Sequence, residues 1–264
     1  MREHSSKTPA SGPGHTAGMD RTRRDTPLPR PRGPRYGIDA PAFPAATAAA
    51  GLACCLAAVR RAPLRPARAA LAAAGAALLA HSGVYLHTTL RGKLRLWARE
   101  LDRAGLAGDE DLLDLGCGRG MVLIEAARRL PSGRAVGVDL WTADQSGNTR
   151  AAALANAAAA GVGDRVQVRT GDMRALPFPD ASFDVVTSAL AIHNIPSPRD
   201  RYRALDEALR VLRPGGRLLI ADLRPMARRY AAHLGRGELR DLGPAYWYGG
   251  PYLAVTLLEA VKDG

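Results

Sequence analysis

An α/β fold is predicted, with a doubly wound, mostly parallel sheet carrying helices on both faces and apolar helical segments ahead of it. Three observations predict it. After Leu101 short apolar runs alternate with longer helical stretches, a glycine-rich turn follows the first of those runs directly, and two uncharged apolar stretches, 42–59 and 69–90, precede them all. Runs 112–115, 135–139, 166–170, 183–188 and 217–221 are short and apolar enough to be buried strands, whereas 121–130, 148–160 and 199–211 have helical length. Such alternation requires right-handed crossovers and sets helices on both faces of the sheet. Ligands in sheets of this kind bind at the carboxyl ends of the strands, and the polar motifs fall there.

Composition narrows the partners. Of 264 residues, the first hundred carry 16 Lys and Arg against 5 Asp and Glu, while the remainder carry 21 against 20, so nearly all of the net charge of +12 lies upstream. A nucleic-acid binder displaces counterions with a basic surface on its folded domain; here the excess sits in a Pro/Gly-rich tail and short Arg clusters, and no nucleic-acid partner is expected. The three cysteines, two of them adjacent at Cys54 and Cys55, form neither a disulfide framework nor a metal-ligand spacing. No metal is expected, and a reducing interior is the default. No typical secretory signal opens the sequence, because the first apolar stretch begins only near residue 40. Residues 1–40, rich in Pro, Gly, Ser and Arg, read as a disordered basic tail; 41–95 read as apolar helical segments, and 100–264 as one domain.

The strongest motif is Leu112-Leu113-Asp114-Leu115-Gly116-Cys117-Gly118-Arg119-Gly120, a buried strand running into GxGxG before a helix. Glycines at that bend let the chain turn tightly and let its backbone approach a ligand. A dinucleotide fingerprint, GxGxxG, wants glycine at 121, where Met121 stands. Asp114 adds a carboxylate facing the loop, suited to a cationic amino acid and ill suited to a pyrophosphate. At the tip of the next strand, 19 residues beyond Gly120, Asp139 suits hydrogen bonding to a ribose diol; Leu140 and Trp141 after it offer an apolar or stacking wall. In Gly171-Asp172-Met173, Asp172 is placed to accept from an exocyclic amine and Met173 to pack on a ring face. Asp184 reads as support for the fold, and Leu212-Arg213-Pro214-Gly215-Gly216 as a turn between helix and strand.

Together DLGCGRG, VGVDLW, GDMRALPFPDASFDVV and LRPGGRLLIADL resemble the class I S-adenosylmethionine-dependent methyltransferases, in the branch that includes quinone, sterol and arsenite methyltransferases. The resemblance spans roughly 101–261. It implies a seven-stranded sheet whose antiparallel seventh strand is 253–261. It implies S-adenosylmethionine as cofactor, with Asp114 and the loop through Gly116, Cys117, Gly118 and Gly120 at its methionine part, Asp139 at the ribose hydroxyls, Asp172 and Met173 at the adenine, and Ser188 on the floor. The segment 142–148 departs from the simplest pattern in being longer and more polar; there Asp144, Gln145 and Asn148 either reach the methyl acceptor or cap the following helix.

Methyl transfer from a sulfonium is an in-line displacement in which the protein supplies proximity and alignment. A base is needed only where the acceptor loses a proton, and His193, just past the fourth strand, is the candidate; the alternative is that His193 and Asn194 only brace their loop. A small-molecule acceptor is expected. Tyr246, Trp247 and Tyr248 line an apolar acceptor pocket or cover the sheet as core. An arsenite-type thiol mechanism is disfavoured, since Cys117 is the one cysteine in the domain. The competing classes are a nicotinamide-dependent oxidoreductase and a membrane-tethered module that binds the cofactor without catalysis.

The stretches 42–59 and 69–90 approach the length of a membrane span, and association with a membrane through 42–90 is expected, the catalytic domain facing the cytoplasm. Ala drives insertion weakly, His81, Ser82 and His87 interrupt the second stretch, and a two-span hairpin would strand Arg60, Arg61, Arg65 and Arg68 on the far side. A single span or a shallow hairpin in the headgroup region avoids that conflict. A soluble Ala-rich hairpin is the alternative.

Overall fold

A computed structural model describes residues 33–60, 65–142 and 145–264. Most of the expected basic tail (1–32), part of the Arg-rich link (61–64) and Asp144 lie outside the described residues.

The sheet is built from β1 (Asp111–Leu115), β2 (Arg134–Asp139), β3 (Val166–Thr170), β4 (Phe183–Ala189), β5 (Leu212–Leu223), β6 (Glu238–Asp241) and β7 (Val255–Val261). Their order across it is β3-β2-β1-β4-β5-β7-β6. The first five run parallel, and β7 is antiparallel to both β5 and β6. The order reverses between β1 and β4, the switch point at which open sheets of this class take up ligands. Helices α4 (Met121–Ala127), α5 (Arg150–Ala159), α6 (Pro198–Val211) and α7 (Arg224–Leu234) cover it.

Successive strand side chains serve opposite faces. Leu112 and Ala135 join a core with Leu123, Ile124, Ala153 and Ala157, while Leu113 and Val136 join a second core with Leu205, Ala208 and Tyr230. Local signals set the helix starts. Thr149 Oγ1 accepts from the Ala152 amide at 3.1 Å, and Ser197 precedes Pro198 in the first turn of α6. Asp184 supports the fold as expected, accepting from the Asp111 amide at 2.8 Å and pairing with Arg213. The Pro-Gly-Gly turn is absorbed differently. Strand pairing resumes after a register jump, Phe183 opposite Leu212 and Val185 opposite Arg217, so Arg213–Gly216 bulges out of β5 instead of preceding it.

The domain begins upstream of the expected boundary at residue 100. The two apolar stretches are α1 (Ala42–Arg60) and α2 (Arg65–His87), and a π-turn over Thr88–Gly92 carries α2 into α3 (Lys93–Arg103). Trp97 and Leu101 are fully buried in the core cluster that includes Leu123 and Ile124 of α4, and Thr88 Oγ1 donates to the Trp247 carbonyl at 2.7 Å. Residues 33–40, expected within the disordered tail, are ordered too. The Arg35 amide donates to Asn156 Oδ1 at 2.9 Å, and the Ile38 amide to Ser146 Oγ at 2.8 Å.

Helices α1 and α2 pack on each other through small residues. A Cβ on Gly75 would lie 2.5 Å from Cys55 Sγ, so glycine there permits the contact. Outward, the hairpin presents Leu52, Leu56 and Val59, all more than half exposed.

Candidate functional site

A cavity of about 700 Å³ opens at the carboxyl ends of β1, β2 and β4, the size of a ligand site and not of a packing defect. Its polar half is built on the bend after β1. Gly116 donates its amide to the Val138 carbonyl at 2.8 Å and holds φ near +68°. A Cβ there would sit 2.2 Å from Ala191 Cβ, so backbone alone fits between the strand end and the 191 loop. Gly118 donates to Asp139 Oδ2 at 2.8 Å, which fastens the loop to the tip of β2. The second oxygen of Asp139 accepts from the Trp141 amide at 2.6 Å and from Asn148 Nδ2 at 3.3 Å. Asn148 Nδ2 also reaches the Thr142 carbonyl, and Asn148 Oδ1 is buried in the cavity wall without a hydrogen-bond partner among the described residues. A buried acceptor of this kind calls for a donor. Thr149, not Asn148, caps α5.

Asp114 is fully enclosed and accepts from Thr187 Oγ1 at 2.8 Å. Burial pushes its carboxyl up to about 7; the Thr187 hydroxyl opposes the shift and the neighbouring Asp139 charge adds to it. Cys117 lines the same pocket with its thiol pushed well above the ordinary range by burial and by Asp114 and Asp139, so it is no nucleophile. Leu140, Asp172 and Met173 also line the cavity. Asp172 is paired with Arg174, whose Nε lies 2.9 Å from one carboxylate oxygen. Those hydrogen bonds hold its carboxyl below the usual range, so it faces the cavity as an acceptor.

Three expected site residues do not line the cavity. Trp141 takes a left-handed φ of about +60°, and its indole Nε1 donates to Thr170 Oγ1 at 2.8 Å. The wall after Asp139 is Leu140 and Thr142 instead. Ser188 is fully buried with its hydroxyl donating to the Leu115 carbonyl at 3.0 Å, and the next residue, Ala189, lines the site. Gly120 serves the bend from behind, as the left-handed residue at the start of α4.

His193 lines the cavity, and its Nδ1 lies 2.8 Å from Asp222 Oδ1. Asp222 is fully buried at the end of β5 and is also held by the Tyr230 hydroxyl at 3.1 Å and the Leu223 amide at 2.7 Å. With Nδ1–H given to this carboxylate, the imidazole carries its lone pair on Nε2. Phe43, Tyr85, Ile195, Leu253, Tyr246 and Tyr248 also line the cavity. Tyr246 and Tyr248 are both core and cavity wall; Trp247 is not part of the lining.

Sequence reasoning missed Asp39, Lys93 and Asp222. Among the described residues no group of three His, Cys, Asp or Glu side chains is placed to hold a metal ion.

Residues 113–220 match a family model described as a methyltransferase domain. Similar curated proteins include a 27-O-demethylrifamycin SV methyltransferase of Amycolatopsis mediterranei, 42% identical over 44% of this chain and 39% of its own. The ubiquinone/menaquinone biosynthesis C-methyltransferase UbiE of Roseobacter denitrificans is 38% identical over 48% of each chain. This chain thus spans about half the length, or less, of these relatives. Among solved structures, the [4+2]-cyclase SpnF superposes with a TM-score of 0.52 at 21% identity, covering 63% of this chain and 81% of that one. The geranyl diphosphate C-methyltransferase of Streptomyces coelicolor A3(2) superposes with 0.51 at 22%, covering 62% and 78%. At those identities the likeness concerns the fold. Over residues 113–220 the chain is thus similar to methyltransferase domains.

Proposed function

We propose that the chain transfers a methyl group from S-adenosylmethionine to a small, largely apolar acceptor that gives up a proton. One observation carries this: a glycine loop tied to Asp139 and a histidine, His193, held by the buried carboxylate of Asp222 line a single cavity. In the polar half, Asp139 and Asn148 Oδ1, the latter without a partner among the described residues, fit ribose hydroxyls, Asp114 fits an ammonium group, and Met173 with Leu140 fits a flat base. The cofactor supplies a sulfonium methyl already activated toward a nucleophile. The protein's share is alignment, exclusion of water by the Tyr and Leu wall, and removal of the acceptor's proton by His193 Nε2. Untargeted mass spectrometry of small-molecule extracts with and without the protein tests this: a 14-dalton gain dependent on S-adenosylmethionine is expected. Tight binding of NADH with none of S-adenosylmethionine would overturn it.

The hairpin of α1 and α2 belongs to the same proposal. Nineteen residues of α1 span about 28 Å at 1.5 Å each, close to the hydrocarbon core. Its outward Leu and Val side chains have no partner among the described residues that explains their exposure, and the Arg residues at its tip suit lipid phosphates. We read it as lying in the membrane boundary on the side of the catalytic domain. Flotation of the full chain with anionic vesicles supports this, and recovery of all the protein in the vesicle-free fraction at low salt refutes it.

Asp114 gives a pH signature. Its folded value of about 7 lies above the ordinary 3.8, so the folded chain keeps a proton that the unfolded chain has released, and this group makes the ligand-free fold less stable as pH rises from about 4 to about 7. An ammonium group bound beside it favours the ionised form. S-adenosylmethionine is therefore expected to bind about tenfold more weakly at pH 6 than at pH 8 and to release a proton at the lower pH. Calorimetry in buffers of different ionisation enthalpy reads this, and Asp114→Asn is expected to abolish the proton release.

A further inference from the structure

The carboxylate of Asp39 gathers more side chains than any assigned site residue. Its Oδ1 accepts from Lys93 Nζ at 2.8 Å and from Gln145 Nε2 at 2.9 Å. Its Oδ2 accepts from the same ammonium at 2.8 Å, from Thr89 Oγ1 at 2.9 Å and from the Tyr248 hydroxyl at 2.8 Å. The backbone of Asp39 is held as well, its amide donating to Thr89 Oγ1 and its carbonyl accepting from the Tyr85 hydroxyl, each at 3.0 Å. Burial works against this charge, but the Lys93 charge and the hydrogen bonds from Lys93, Gln145 and Tyr248 outweigh it and hold the carboxyl below the usual range. The Tyr248 phenol, pushed well above its ordinary value by burial and by Asp39, stays a donor.

What this carboxylate joins is informative. Residues 33–40 run as a strap beside the cavity, and Ile38 exchanges hydrogen bonds with Ser146, whose amide donates back to the Ile38 carbonyl at 3.0 Å. Asp39 bridges to Gln145 as a short antiparallel pair. Gln145 in turn accepts, through Oε1, from the amide of Arg119 in the glycine loop at 3.0 Å. That oxygen lies so near the loop that a Cβ on Gly118 would come within 2.6 Å of it. On the other side, Lys93 belongs to α3 and Tyr248 to the wall of the acceptor half. One carboxylate therefore links the strap, α3, the acceptor wall and, through Gln145, the loop that faces the cofactor.

We propose that Asp39 is a positioning residue: it fastens the strap across the cavity and, through Gln145, fixes the glycine-loop backbone, so that cofactor or its product leaves only when this fastening parts. The inference rests on the methyltransferase function proposed above, but one arm of its test does not. Asp39→Asn removes the charge, and because Lys93 is only 3% exposed it leaves a buried ammonium without its anion. The double variant Asp39→Asn/Lys93→Met keeps the site neutral and guards against unfolding. In both, amide hydrogen exchange at Ile38 and Arg119 is expected to quicken at least about tenfold while the amides of β1 and β4 keep their protection, the range expected when a hydrogen bond to a charged group is lost. Dissociation of S-adenosylhomocysteine is expected to quicken similarly, with KM for S-adenosylmethionine raised more than kcat is lowered. Gln145→Leu, which leaves the ion pair in place, is expected to free Arg119 but not Ile38. Folded double variant with parental exchange at both amides overturns the proposal. The expected exchange changes in the variants, with no binding of S-adenosylhomocysteine even to the parent, would support the fastening and overturn the assigned ligand.

Discussion

Replacing His193 by alanine is expected to lower kcat about 10²–10⁴-fold, the usual contribution of a positioned general base, while leaving the affinity for S-adenosylmethionine unchanged. The contacts explain the separation: among the described residues no hydrogen bond links His193 to the glycine loop, and its side-chain partner is Asp222 at 2.8 Å. Asp222→Asn is the sharper experiment. An asparagine keeps the shape but presents either an amide oxygen, preserving the tautomer without the charge, or an amide nitrogen, which reverses it. Loss of the carboxylate also removes the stabilisation of an imidazolium formed during proton transfer. A fall in kcat at unchanged affinity for S-adenosylmethionine is therefore expected in Asp222→Asn as well as in His193→Ala. The measurement is kcat with whichever acceptor the extract assay supplies. A kcat that His193→Ala leaves in place would confine this histidine to bracing its loop.

Replacing Asp139 by alanine is expected to weaken S-adenosylmethionine binding by about 1.5–3 kcal/mol, the size of hydrogen bonds to a charged group, or roughly 10- to 150-fold in Kd. Two effects add. The carboxylate faces the cavity, and it also receives the Gly118 amide at 2.8 Å and the Trp141 amide at 2.6 Å, so its loss loosens both the bend after β1 and the end of β2. Asp139→Asn separates them, because one oxygen remains to accept from one of these amides. An intermediate Kd is expected for it. Equal affinity of Asp139→Ala and the parent by calorimetry would remove Asp139 from the binding site.

The polar half of the cavity was legible in the sequence because its determinants are local. A strand, a glycine bend and a carboxylate at the next strand tip lie within 28 residues, from Leu112 to Asp139, and regular βαβ geometry brings them together. Legibility failed where one backbone torsion decides direction. Trp141 and Leu140 are adjacent, and the left-handed φ at Trp141 sends its indole to Thr170 while Leu140 keeps the wall. It failed for Ser188 because strand alternation there depends on the register of β4 against β1, in which Ser188 sits opposite Leu115. Asp222 reaches His193 across 29 positions and Asp39 reaches Tyr248 across 209; such meetings are properties of the closed fold. For Asp39 the composition of its neighbourhood pointed the wrong way. A Pro-, Gly- and Arg-rich tail promised no order, and the order of 33–40 comes from partners in α3, α5 and the 145–146 segment.

The place of β7 in the sheet has a consequence for how the protein is made. This strand lies between β5 and β6, although β6 precedes it in the chain. During synthesis β6 leaves the ribosome before its one neighbour, β7, and β5 waits with one edge open, its backbone N–H and C=O groups unpaired until residues 255–261 arrive. Such an unpaired edge invites association between nascent chains. Ordering of this margin is thus a late, wedge-like event, and removal of residues 255–261 would leave two uncompleted strands, not one shortened end.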